Sequence, residues 1–144
     1  HKIINEHIFE FAELLNSEDK YKIHLVNSYP LMSLALASLP DTSVPDDVQQ
    51  YLIEQHQQAS EAIAHRYNVA DENIHVREGE PEDIITSVSL DINADVILVG
   101  AVPKDGMQAV LLGTTVEQVL DDTTADVLAI KPQDGVRELS PDQA

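Results

Sequence analysis

Apolar positions along the chain alternate between two spacings, one helical and one extended. Ile4, Ile8, Phe11 and Leu15 recur every three or four residues, which predicts an amphipathic helix over residues 3–16. Tyr21 to Asn27 (YKIHLVN) reads as a strand, with a turn at Ser28-Tyr29-Pro30. Leu31 to Val44 is looser, with two proline breaks, and packing as a flap over the sheet edge is the expectation for it. Pro45 opens a long helix to Tyr67, with Val48, Leu52, Ala59, Ile63 and Tyr67 along one side. Asn73 to Glu78 is a short strand, and Gly79-Glu80-Pro81 turns the chain into a helix whose Ile84, Ile85 and Val88 face the core. A further helix follows Gly113-Thr114-Thr115. Residues 133–144 (QDGVRELSPDQA) read as a polar tail.

Two runs are apolar without alternation, Val96 to Val99 and Val127 to Ile130. Such runs suit strands covered on both faces, and hence a parallel sheet between helices. With helices and strands alternating throughout, the predicted class is a three-layer α/β sandwich.

Composition narrows the chemistry. The chain has 144 residues, one domain's worth, and its 26 acidic against 8 basic residues give a formal charge of −18. Nucleic acid and anionic membranes are poor partners for such a surface. Cysteine is absent, which removes disulfides, thiolate metal sites and thiol catalysis. No run reaches the roughly 18 apolar residues of a membrane span. The start of the sequence lacks the basic-then-apolar order of a signal peptide, so the expected compartment is the cytoplasm.

The stretch with the most chemical content is Ala94 to Pro132. Strand, glycine-bearing loop and helix N-terminus form in succession there, the arrangement that converges backbone N–H groups on a phosphate. Thr114 and Glu117 also fit a capping box, which explains the same residues by helix capping alone. His1, His7, His24, His56, His65 and His75 form no metal-binding spacing such as HExxH. No G-x-S-x-G elbow is present, so Ser28, Ser33 and Ser60 are not expected nucleophiles. Asp46-Asp47 and Asp121-Asp122 fall at a helix start and a helix end, and neither pair suggests acid–base work.

Four segments together resemble the universal stress protein family: His75 to Pro81 (HVREGEP), Ala94 to Gly100 (ADVILVG), Gly113-Thr114, and Ala125 to Pro132 (ADVLAIKP). The similarity covers roughly residues 3–132, and is greatest to the C-terminal half of the family's tandem-domain members. It implies a five-stranded parallel sheet of order 3-2-1-4-5, with residues 1–132 forming the domain and 133–144 the tail. The family's first strand, with its nucleotide-contacting aspartate, belongs before residue 1, so the sheet is expected to lack its central strand here. The expectation is that this chain is a fragment, or that the strand comes from another copy or another segment.

Nucleotide-binding members read G-x2-G-x9-G-[S/T] after strand four. In that register this chain has Gly100, then Pro103 where the second glycine belongs, then Gly113 and Thr114, with Gly106 matching another loop glycine. Proline has no N–H to donate and a fixed φ. Val102 stands where the family carries a basic residue; Lys104 lies nearby. The resemblance therefore implies a non-enzymatic stress-response module with a degenerate nucleotide loop, without catalytic residues, metal or resident cofactor. It would pair as a homodimer or tandem domain through Asp126 to Ile130, and take a small ligand at most. The alternative is an ATP-binding or slowly ATP-hydrolysing domain that uses Gly100, Gly106, Gly113, Thr114 and Thr115. The Gly79-Glu80-Pro81 turn would then lie near the ligand's sugar. A flavodoxin-like carrier fits less well, because no G-x-G-x-x-G opens the chain.

Overall fold

Four parallel-paired strands and four helices make up the described part of the computed structural model, which comprises residues 2–29, 46–101 and 114–131. In chain order they are α1 (Lys2–Leu15), β1 (Leu25–Tyr29), α2 (Asp46–Arg66), β2 (Ile74–Glu78), α3 (Pro81–Asp91), β3 (Val96–Gly100), α4 (Thr114–Asp122) and β4 (Asp126–Ile130). A single 3-10 turn, Asp71–Asn73, precedes β2. The predicted flap Leu31–Val44, the loop positions Val102, Pro103, Lys104, Gly106 and Gly113, and the tail lie outside the described residues.

The strands form two parallel pairs. β1 pairs with β2 in the register Leu25↔Ile74 to Tyr29↔Glu78, and β3 with β4 from Val96↔Asp126 to Gly100↔Ile130. Strand β1 sits later than its sequence pattern predicts: Tyr29 continues the strand instead of turning, and Tyr21 to His24 lead into it. The reason is pairing, since Gly79 N–H donates to Tyr29 O at 2.9 Å and extends the ladder past both side chains.

Side-chain alternation sorts the first pair into two faces. Leu25, Asn27, Tyr29 and Ile74 meet α2: Leu25 and Ile74 join its Ile63 and Ala64, Asn27 bonds Ser60, and Tyr29 lies against His56. On the other face Arg77 reaches Ser87 and Asp91 of α3. Helices thus cover both sides of β1–β2. Helix α1 packs on β3 and β4, and α4 packs on α3 and β4.

The core is built from small and β-branched residues. Ala64, Val88, Val116 and Val119 are buried completely or nearly so, and Phe9, Ala64 and Val69 form one cluster. On α1 the inward stripe is Ile8, Phe9 and Ala12; Phe11, expected inside, is 42% exposed. The second pair also departs from its apolar pattern. β4 alternates, with Asp126 and Leu128 outward, and Val96 of β3 is 41% exposed. A strand run apolar on both faces is therefore covered on only one where no described helix lies over it.

Two asparagines end helices in the left-handed region, Asn68 at φ 56° and Asn93 at φ 52°. Each is followed by a six-to-one backbone bond, Val69 N–H to Ala64 O at 2.8 Å and Ala94 N–H to Ser89 O at 2.9 Å. This is the Schellman closure, in which a short polar side chain tolerates what a branched one would not.

Candidate functional site

A cavity of about 600 Å³ lies between β1 and β3. Its side walls are Leu25 to Asn27 and Val96 to Gly100; α1 and α2 close one side through Phe9 and Ile63, and α3 the other through Val88. Neither wall strand has a second strand partner among the described residues, so each presents unpaired backbone toward the space. The lining is chiefly apolar, with a few hydroxyl and amide groups and with Lys20, Lys22, His24 and Asp95 among its polar members. Asn27 Nδ2 donates to Ser60 Oγ at 2.8 Å, and Ser60 in turn donates to His56 O at 2.8 Å. An apolar slot flanked by strand edges can hold extended chain or an apolar molecule; it has no nucleophile–base pair.

Of the sequence-predicted loop residues, Gly100 ends β3 opposite Ile130, and Ala101 N–H continues the ladder to Ile130 O at 2.8 Å. Gly100 also lines the end of the cavity. Thr114 is the first residue of α4, and half-buried Thr115 follows. That start places Thr114 inside the helix. Gly106 and Gly113 lie outside the described residues. At the opposite pair, Gly79 holds φ 146° and Pro81 occupies the first helical position of α3 after Glu80. A Cβ on Gly79 would meet Ile84 Cδ1 at 3.0 Å, so this turn is closed by packing.

Sequence reading overlooked one pair. His24 Nδ1 and His75 Nε2 lie 3.0 Å apart, with ring planes within 20° of parallel. The two residues are 51 positions apart, and no local spacing links them. Their signal was the shared placement of a histidine at the head of each strand segment, HLVN and HVRE, which only the β1–β2 register turns into proximity. Burial lowers the pKa of His24, helped by His75 and Lys22. Burial also lowers that of His75, with Arg77 adding to the effect and Asp91 opposing it. Both rings are thus held neutral at pH 7. At the far end of β1, burial and Glu78 raise the Tyr29 phenol above its usual value.

His7 and His65 make local contacts. His7 faces Glu10 at 3.1 Å and His65 faces Asp71 at 2.7 Å. No group of three or more His, Asp or Glu that could hold a metal ion occurs among the described residues. Among them no helix is long and apolar enough to cross a membrane.

Comparison with known proteins matches residues 5–131 to the model of the universal stress protein family. The chain is 32% identical over 138 residues to universal stress protein E of Salmonella typhi, covering 93% of this chain and 43% of that protein. It thus spans less than half the length of that relative. Among solved structures, the hypothetical protein MJ0577 superposes with a TM-score of 0.63 at 18% identity, covering 93% of this chain and 89% of its own. A universal stress protein solved in complex with cAMP gives a TM-score of 0.51 at 17% identity, covering 86% and 84%. At those identities the two structures speak for the α/β fold.

Proposed function

The chain belongs to the universal stress protein family, and from that premise we propose that it is a non-catalytic stress-response module, one half of a tandem protein, acting through domain pairing. Residues 1–132 form the module and 133–144 its tail. The observation that carries this reading is the loop Gly100-Ala101-Val102-Pro103, which puts proline and valine where a phosphate loop needs a flexible N–H donor and a cation. With 8 basic residues against 26 acidic, the chain has few cations to replace the lost contact.

The cavity between β1 and β3 is read as the seat of a fifth parallel strand. A strand there would pair with both edges and join the two pairs into the order 3-2-1-4-5. Support comes from the parallel sense of both pairs and from helices of three segments closing over the gap. Pairing with another domain would use β4, whose Leu128 is 38% exposed and whose outer edge has no partner among the described residues.

The cAMP complex of a structural neighbour favours a second reading, in which Gly100, Gly106, Gly113, Thr114 and Thr115 hold a nucleotide. Thermal denaturation of the full-length protein separates the two. A ligand that binds only the folded state at about 100 times its dissociation constant adds about 2.7 kcal/mol. The module reading expects no change in Tm with millimolar Mg-ATP or cAMP; an upward shift with either establishes the nucleotide reading instead.

A further inference from the structure

The His24–His75 contact is the titratable cluster that the module reading leaves without a use. We propose that this hydrogen bond is an acid-released latch, which holds residues 22–24 against β2 at neutral pH and frees them when both rings carry a proton. The latch belongs to the fold whatever ligand or strand the cavity takes.

Two fixed points bound the moving segment. Upstream, the Asn16 side chain grips Tyr21 twice, donating to its carbonyl at 3.0 Å and accepting from its N–H at 2.8 Å. Downstream, Leu25 opens β1 opposite Ile74. Residues 22–24 between them belong to no helix or strand, and His24 Nδ1 meets His75 Nε2 across to β2 at 3.0 Å. His75 lies inside β2, paired opposite Val26, and is the fixed half of the contact. His24 is the half that can move. Ile23 packs against the cluster of Phe9, Ala64 and Val69, and keeps the segment seated while the bond is intact.

Proton count decides whether the bond survives. A neutral pair sets one N–H against one lone pair, and a singly protonated pair still does. The second proton removes the last facing lone pair. Both nitrogens are then donors, both rings are positive, and attraction turns to repulsion. Lys22 on the segment and Arg77 on β2 add to that repulsion. Asp91 of α3 is the opposing carboxylate, but Arg77 already engages it at 3.1 Å. Lys20 and Asp95 line the same cavity as His24 and carry opposite charges. Released into water, His24 takes its proton at the ordinary histidine value of about 6.5. Opening therefore takes up a proton, and its equilibrium rises about tenfold per pH unit below that value.

The consequence falls on the cavity. Tyr21, Lys22, Ile23 and His24 all line it, so release of residues 22–24 opens its wall beside the start of β1. Access to the space between β1 and β3 thus widens in acid.

Hydrogen exchange of the full-length protein at pH 7.5 and pH 5, read by mass spectrometry and corrected for intrinsic exchange, tests the latch. Protection of residues 20–27 should fall tenfold or more in acid, and that of α4 should not. H24Q and H75Q should each keep residues 20–27 within threefold between the two pH values, because the amide oxygen accepts from the remaining protonated ring. A fall of less than tenfold in the unaltered chain, an equal fall in α4, or a fall above threefold in either variant overturns the latch. Should those variants fail to fold, NMR of the ring nitrogens in the unaltered chain decides. Two protonations shared by the pair below about 6.5 support the latch, and independent titration of each ring at that value overturns it.

Discussion

The rings of Phe9 and Tyr67 lie parallel within 1°, with centroids 4.2 Å apart. Tyr67 follows the last residue of α2, so the pair clasps α1 to the point where α2 ends, directly above Ala64 and Val69. Arg66 adds a contact to Glu6 at 3.7 Å, both side chains being largely exposed. Replacing Phe9 with alanine should cost about 3–5 kcal/mol, the loss of a buried aromatic plus its cavity. A double-mutant cycle with Tyr67→Ala should show coupling of about 0.5–1.5 kcal/mol by urea unfolding. Additive effects would mean that the rings merely adjoin.

Gly79 holds a conformation open chiefly to glycine, and its missing Cβ leaves room for Ile84. Gly79→Ala should therefore destabilise by about 1–3 kcal/mol. The crowding partner is a flexible side chain, so Ile84→Val should recover part of the loss in the double variant. A midpoint of denaturation unchanged by Gly79→Ala would contradict the strained turn.

Thr86 in α3 buries a hydroxyl for which no hydrogen-bond partner occurs among the described residues. Its isostere removes the desolvation cost while keeping shape. Thr86→Val should stabilise by about 1 kcal/mol. Ser60→Ala should do the opposite by about 1–3 kcal/mol, because it strands the Asn27 amide at the cavity wall. The same chemical deletion, a lost hydroxyl, thus carries opposite signs at the two sites, and calorimetry of both variants checks that contrast.

The His24–His75 pair makes stability depend on pH in a defined direction. Both folded-state pKa values lie below the ordinary histidine value of about 6.5, so the unfolded chain binds more protons as pH falls. The contribution is fully present above the unfolded value and is lost as pH falls from about 6.5 through the folded values. Two positive rings cannot keep an N–H···N bond, and their titration is shared between them. Unfolding free energy measured from pH 7.5 to 5 should fall more steeply in the unaltered chain than in H24Q/H75Q. Equal slopes would remove the pair from the acid response.

Local elements were legible because their causes are local. Period and caps gave α2, α3 and α4, with Pro81 at its predicted place at the start of α3 and Val88 in the core. Val96 to Val99 and Val127 to Ile130 could be read as strands because β-branched runs bounded by polar residues fit little else. The end of β1 was less legible: Tyr29 before Pro30 looks like a turn, and only the bond from Gly79 keeps it extended. On α1, spacing alone could not choose between Phe9 and Phe11, because both lie near one apolar stripe; the stack on Tyr67 decided it.

Sequence by itself determined the α/β class, the family resemblance, the acidic surface and the proline that stands in the loop after β3. These follow from residue identity and short-range spacing, which folding does not alter. Tertiary structure decided which strand edges border the cavity, which face of β4 stays bare, and that two histidines 51 residues apart share one hydrogen bond. Those outcomes depend on strand register and helix placement, and both are fixed by contacts between segments that no local pattern encodes.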